Sequence, residues 1–80
     1  MILEEILEIY EDESFLIAEG FDEAIIGVDE SEMRLIYSVN KCLEILIKDM
    51  SKEEAIEHFE FNISSGYIGE KKPIFCYDNF

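Results

Sequence analysis

The chain has 80 residues, of which 20 are Asp or Glu and 6 are Lys or Arg, and its formal net charge at pH 7 is −14. Apolar residues make up 49% of it and aromatic residues 12%, which excludes a fully disordered chain. A chain of this size buries only about 60% of the surface that its unfolded form exposes, so we expect one small domain spanning residues 1–80. The scarcity of Lys and Arg argues against direct nucleic-acid binding, because phosphate contacts require these cations.

The negative charge is concentrated in the first part of the chain. Residues 1–33 contain no Lys or Arg, and all the basic residues lie in residues 34–80. Repulsion within such a segment lowers folding stability. One interpretation is a solvated face that aids solubility, and the other is a surface that docks on a positively charged partner.

Apolar residues recur at helical spacing over residues 2–11, which predicts an amphipathic first helix. Its acidic first turn suits the positive end of the helix dipole. Glu11, Asp12 and Glu13 are expected at the negative end, where their charge is unfavourable. A basic partner would relieve that repulsion.

Two strands are predicted after a connector over residues 14–20. The first covers Ala24–Val28, with Gly27 as a bulge or a point of close contact, and the second covers Arg34–Val39. A loop of about five residues joins them into a hairpin. This loop carries three acids, Asp29, Glu30 and Glu32.

Two helices follow the hairpin. The second helix is predicted over Val39–Met50, with Ser38 or Asn40 as its N-cap. The third begins at Ser51, which forms a capping box with Glu54.

A short strand around Ile74–Tyr77 ends the pattern, and Pro73 confines it to a strand start or a sheet edge. The predicted fold class is α+β. It combines a small, mainly antiparallel sheet, made of the hairpin plus a short C-terminal strand, with about three helices.

The residue types that carry catalysis or bind metals are few and dispersed. Cys42, His58 and Cys76 are far apart, whereas structural zinc sites use four ligands, usually in close pairs. Residues 29–32 lack the spacing and the turn glycine of a calcium-binding loop. His58 is the only histidine, and its neighbours Glu57 and Glu60 are expected to face solvent on the third helix. A catalytic triad would need a nucleophile and an orienting acid to be brought to it by the fold. We therefore expect no enzymatic activity, no metal and no cofactor.

The expected location is the cytoplasm. No segment approaches the roughly 18 apolar residues that cross a bilayer, and the acidic N-terminus is unlike a signal peptide. Cys42 and Cys76 are therefore expected to be reduced, buried thiols.

Four blocks of sequence carry a resemblance to a known family. They are GFDEAIIG at 20–27, KCLEIL at 41–46, SKEEAIEHFEFN at 51–62 and GYIGEKKPIF at 66–75. In their order and spacing they resemble a family of small phage and prophage proteins, most of which have no assigned function. The resemblance implies a phage-encoded protein and supplies no catalytic residues. Relatives tend to have a longer turn with a Gly before the third helix, whereas here Lys48–Met50 leads directly into it.

These observations suggest two hypotheses for function. The first is an anti-CRISPR-like inhibitor, which binds a basic host protein such as a CRISPR effector and presents carboxylates to its nucleic-acid-binding site in place of phosphates. The predicted partner-binding residues are Glu4, Glu8, Glu11, Asp12, Glu13, Asp22, Glu23, Asp29, Glu30 and Glu32.

The alternative is a phage accessory or regulatory protein that binds a host protein, or a second copy of itself, through an apolar and aromatic surface. The surface would be carried by whichever of four aromatic residues is exposed: Phe61, Tyr67, Phe75 or Phe80. Weak dependence of binding on salt would favour this alternative, because an acidic interface weakens as ionic strength rises.

Overall fold

The structure is a computed structural model that describes residues 2–80. It contains three α-helices and three β-strands, so the predicted α+β class is confirmed. In chain order the elements are α1 (Ile2–Ile9), β1 (Ile25–Asp29), β2 (Arg34–Ser38), α2 (Val39–Leu46), α3 (Lys52–His58) and β3 (Ile74–Cys76). A single 3-10 turn (Asp22–Ala24) leads into β1, and a π-helical turn (Phe59–Ile63) continues α3.

The sheet has the order β1-β2-β3 and is mixed. Strands β1 and β2 form the predicted antiparallel hairpin, whereas β3 lies parallel to β2, with Ile74 opposite Ile36. Parallel neighbours need a long crossover connection, and here α2 and α3 fill it. The hairpin register shifts between Ile25 and Gly27, so the bulge predicted at Gly27 is present and Ile26 is its extra residue.

The core lies between the sheet and the three helices. Leu3 and Ile6 of α1 are buried at a spacing of three residues, as expected for one face of a helix. Phe59 packs edge-on against Phe75 of β3, with ring centroids 5.3 Å apart. The other buried apolar residues are Ala18, Phe21, Ala24, Ile25, Leu35, Tyr37, Val39, Cys42 and Ala55.

Side-chain caps fix the starts of the second and third helices. The hydroxyl of Ser38 accepts a hydrogen bond from the Lys41 amide at 3.1 Å, which identifies Ser38 as the N-cap of α2. At α3 the amide of Glu54 donates to the Ser51 hydroxyl at 3.2 Å, and the Ser51 amide donates to the Glu54 carboxylate at 3.2 Å. The predicted capping box is therefore confirmed. The pKa of the Glu54 carboxyl is lowered, chiefly because its carboxylate accepts the hydrogen bond from the Ser51 amide.

Two helices end earlier than their apolar patterns predict. Helix α1 ends at Ile9, and a turn follows in which the Glu13 amide donates to the Tyr10 carbonyl at 2.9 Å. Helix α2 ends at Leu46 and leads into another turn. Glu11, Asp12 and Glu13 thus lie beyond α1 rather than in its last turn. The unfavourable dipole interaction expected there is reduced, because it falls off within the last turn of a helix.

The two cysteines are free and differ in exposure. Cys42 is buried in the core, and burial raises its pKa to about 12. Cys76 is exposed, so the expectation of two buried thiols is wrong for this residue. Its strand is only three residues long and lies at the edge of the sheet, which leaves its end uncovered. Within residues 2–80, no helix is long and apolar enough to cross a membrane.

Candidate protein-binding surface

The turn after α1 contacts the turn of the β-hairpin. The hydroxyl of Tyr10 donates a hydrogen bond to the Glu30 carboxylate at 2.6 Å, although the two residues are 20 positions apart. The Tyr10 ring also packs edge-on against Phe15, with centroids 6.2 Å apart. The bond to Glu30 is the main reason that the pKa of Tyr10 is raised, because a deprotonated Tyr10 could not donate it.

This contact brings two acidic segments together. Glu11, Asp12 and Glu13 follow Tyr10 directly in the chain, and Asp29 and Glu32 flank Glu30 in the hairpin. We call the surface formed by these acids the acidic end. Its members are Glu11, Asp12, Glu13, Asp29, Glu30 and Glu32.

Asp29 differs from the other acids of this surface because its carboxylate shapes the hairpin turn. Its Oδ1 accepts from the Ser31 hydroxyl at 2.7 Å and from the Ser31 amide at 3.2 Å, which is an Asx-turn arrangement. Its Oδ2 lies 3.6 Å from Nε of Arg34. The pKa of Asp29 is lowered, chiefly by the Ser31 hydroxyl and to a smaller extent by the Ser31 amide and Arg34. Asp29 is thus a structural residue as well as a charge on the acidic end.

The loop at residues 69–71 brings one acid, Glu70, and one base, Lys71, to the acidic end. Lys71 Nζ lies 3.3 Å from a carboxylate oxygen of Glu13 and 3.4 Å from the Ser14 carbonyl. Residues 69–71 also line a shallow cleft together with Glu32 and Arg34. Glu70 therefore belongs beside this surface, and Lys71 and Arg34 neutralise part of it. The pairing of Lys71 with Glu13 could not be predicted from the sequence, since 58 positions separate the two residues.

The remaining predicted residues are spread over other elements. Glu4 and Glu8 are exposed on α1, one helical turn apart. Asp22 and Glu23 lie in the 3-10 turn before β1, where Asp22 is half-buried. Glu23 lines a separate cleft with three charged side chains of the α2 segment, Lys41, Glu44 and Lys48. The Tyr10–Glu30 contact thus joins the two segments that carry six of the ten predicted residues, whereas Glu23 lies among charges of both signs.

The four aromatic residues of the alternative hypothesis divide into two pairs. Phe61 and Phe80 are exposed. Tyr67 and Phe75 are partly buried and pack against the core, with their ring centroids 6.3 Å apart, so of the four only Phe61 and Phe80 could carry an exposed aromatic surface. Phe75 is held there because β3 lies beside β2, where its ring meets the buried Tyr37.

The side chains with metal-binding or catalytic chemistry, His58, Cys42 and Cys76, are not members of the acidic end. His58 is half-buried at the end of α3, and its Nδ1 lies 3.3 Å from the side-chain nitrogen of Asn62. Within residues 2–80, no group of three or more His, Cys, Asp or Glu side chains is arranged to hold a metal ion.

The fold and its charges define a small α+β protein with an exposed acidic surface. Comparisons with protein-family models, with curated proteins and with solved structures gave no match.

Proposed function

We propose that this chain is an inhibitor that binds a positively charged, nucleic-acid-binding site on a host protein and competes there with phosphate groups. The Tyr10–Glu30 hydrogen bond carries the proposal, because it fixes the acidic turn after α1 against the acidic turn of the hairpin. Acids from two separate segments then form one surface. Protein sites that hold nucleic acids are positively charged, and such a surface complements them.

The surface retains its negative sign despite its nearby cations. Arg34 and Lys71 pair with Asp29 and Glu13, which leaves four exposed acids of the acidic end outside these ion pairs. Those four are Glu11, Asp12, Glu30 and Glu32. Binding by exposed carboxylates requires no catalytic residue, cofactor or metal.

The resemblance to phage and prophage proteins suggests the class of partner. A phage-encoded protein of this kind would act in the cytoplasm of the host on a nucleic-acid-binding defence protein. A CRISPR effector is such a protein, since it holds its guide and target duplex in a positively charged channel. The first partners to test are therefore CRISPR effector ribonucleoproteins.

The proposal is tested by competition for DNA. A fluorescent target duplex is bound to each of several catalytically inactive CRISPR effector complexes, and displacement by the protein is followed by anisotropy at low and at high salt. We expect displacement from at least one effector, weakening as salt rises. A variant with Glu11→Lys, Asp12→Lys and Glu32→Lys should compete at least about tenfold less well, because like charges then face each other.

The matched control carries the same change in charge on other elements, with Asp49→Lys, Glu53→Lys and Glu57→Lys. It should compete nearly as well as the unmodified protein. Circular dichroism and thermal unfolding establish that both variants are folded. Equal loss in both variants would show a general charge effect without a defined surface, and absence of displacement from every effector would contradict the proposal for this class of partner.

A further inference from the structure

The surface of α3 and its flanking turns carries exposed apolar side chains. Ile47, Ile56 and Phe61 expose 46%, 41% and 74% of their surface. Ile47 and Ile56 line a groove of about 300 Å³ between α2 and α3. Ile56 and Phe61 line an adjoining depression. These three residues therefore form one connected surface, which we call the apolar strip.

The local backbone explains why Phe61 faces outward. Ala55 of α3 and Phe59, the first residue of the π-helical turn, are buried four residues apart on one face. The chain then widens into the π-helical turn, where the Ser64 amide donates to the Phe59 carbonyl at 2.8 Å, five residues back. Phe61 lies two residues after the buried Phe59 and therefore on the opposite side of the turn, which leaves its ring exposed. Single π-helical turns occur frequently at functional sites.

Acidic side chains border the apolar strip on one side. Glu53, Glu57 and Glu60 line the same depression as Ile56 and Phe61. The groove that holds Ile47 is lined by one charge of each sign, Glu44 and Lys52. A ligand that covers the strip would therefore place its apolar groups on Ile56 and Phe61 and its charged groups beside the three carboxylates.

We propose that the apolar strip is a docking site for a basic amphipathic helix of another protein. Such a helix presents an apolar face bordered by Lys or Arg, which complements both the strip and its acidic border. A second copy of this chain is a poorer occupant, because pairing two strips would bring two acidic borders together in a molecule of net charge −14. The proposal shares no residue with the acidic end and does not depend on the function proposed above.

A designed peptide tests the proposal. The probe is a synthetic Leu/Lys peptide of roughly 18 residues, patterned to form an amphipathic helix. Its control has the same composition in a scrambled order. Binding is measured by calorimetry and mapped by amide chemical shifts of the labelled protein. We expect the patterned peptide to bind more tightly than the scrambled one, with shift changes centred on residues 47–63.

Variants distinguish the strip from general attraction to an acidic protein. Ile56→Ser together with Phe61→Ser should weaken binding about tenfold or more, since each lost side chain removes apolar contact area. Glu53→Gln, Glu57→Gln and Glu60→Gln together should also weaken binding and leave the core untouched, so this test stands even if the first variant is unstable. The matched control, Glu4→Gln, Glu8→Gln and Glu11→Gln, removes the same charge from α1 and its following turn.

Several results would overturn the proposal. One is equal affinity for the patterned and scrambled peptides, and another is equal weakening by the α3 and α1 charge variants. Shift changes centred on the acidic end would also contradict it. So would sedimentation showing a dimer that dissociates on Phe61→Ser, because the occupant of the strip would then be a second copy.

Discussion

At the scale of single residues, the Tyr37 hydroxyl connects the sheet to the segment between α1 and β1. The Tyr37 side chain is fully buried, and its oxygen accepts a hydrogen bond from the Ala18 amide at 2.8 Å. Burial raises the pKa of Tyr37 to about 12, because the phenolate would be poorly solvated there. Ala18 is itself fully buried, so no water reaches its amide from the surface.

Replacing this hydroxyl should destabilise the protein. Tyr37→Phe keeps the ring but leaves the Ala18 amide without its partner, and an unsatisfied buried donor costs about 1–3 kcal/mol. Urea unfolding should show this loss. Tyr77→Phe is the control, because Tyr77 is exposed and its hydroxyl lies 3.3 Å from the Glu60 carboxylate. Equal stabilities of the Tyr37→Phe variant and the unmodified protein would mean that another group satisfies the Ala18 amide.

At the scale of elements, the C-terminal segment secures the start of α2. The Ser38 hydroxyl, which caps α2, also donates to the Asp78 carboxylate at 2.6 Å, and the Asn40 amide donates to the same carboxylate at 3.0 Å. These two bonds, with the Ser38 hydroxyl first, lower the pKa of Asp78. The segment after β3 therefore stabilises the β2–α2 junction, 38 positions earlier in the chain.

Removing either the Ser38 hydroxyl or the Asp78 charge should lower the stability of the protein, and the two losses should not be additive. Ser38→Ala removes a helix cap, which costs about 1 kcal/mol. Asp78→Asn removes the charge that accepts from Ser38 and Asn40. Because these groups share one network, the double variant should lose less than the sum of the single losses, as measured by urea unfolding. Additive losses would show that Asp78 acts independently of Ser38.

The network of Ser38, Asn40 and Asp78 also predicts that the stability of the protein depends on pH. The pKa of Asp78 is lower in the folded protein than in the unfolded chain, so its contribution is present above its ordinary pKa of 3.8 and is lost as the pH falls through the lower folded value. The stability difference between the unmodified protein and Asp78→Asn should therefore shrink in acid. Asp49→Asn, at an exposed turn position, serves as the control.

Elements encoded by local patterns were predicted well from the sequence. The capping box of Ser51 and Glu54 involves neighbours in the chain, and the β1–β2 hairpin depends on two adjacent strand patterns. The direction of β3 depends on how α2 and α3 carry the chain back to the sheet, and its three residues contain no signal for that. Periodicity also extends α1 and α2 too far, because the turn residues after each helix continue its apolar pattern.

In the candidate surfaces, too, features set by neighbouring residues were predictable and features set by the tertiary fold were not. The sequence showed that Glu11, Asp12 and Glu13 were unbalanced by basic neighbours. It did not show that Lys71 pairs with Glu13, nor that Tyr10 binds Glu30, because both contacts depend on the tertiary fold. Phe61 was one of four aromatic candidates for an exposed apolar surface, yet its connection to Ile47 and Ile56 requires the packing of α3 against α2.

At the scale of the whole molecule, the negative charge opposes compaction. The fold has a radius of gyration of 12.7 Å, so charges on different elements lie within a few Debye lengths of each other at physiological salt. Among the side chains of residues 2–80, only Arg34–Asp29 and Lys71–Glu13 form ion pairs. Most of the acids therefore repel one another without a close counter-charge.

This repulsion predicts that salt stabilises the protein. Raising NaCl from about 20 mM to about 500 mM shortens the Debye length severalfold, so the thermal unfolding midpoint should rise by several degrees, roughly 1 kcal/mol for a domain of this size. The variant with Glu11→Lys, Asp12→Lys and Glu32→Lys should be more stable at low salt and respond less to added salt, because fewer like charges remain. If this variant is also the one that fails to compete for a nucleic-acid site, then the acidic end is retained for binding at a cost in stability. An unfolding midpoint that falls as salt rises would instead show that the two ion pairs outweigh the repulsion. The negative charge would then carry no cost in stability, and stability would give no reason to infer a function for it.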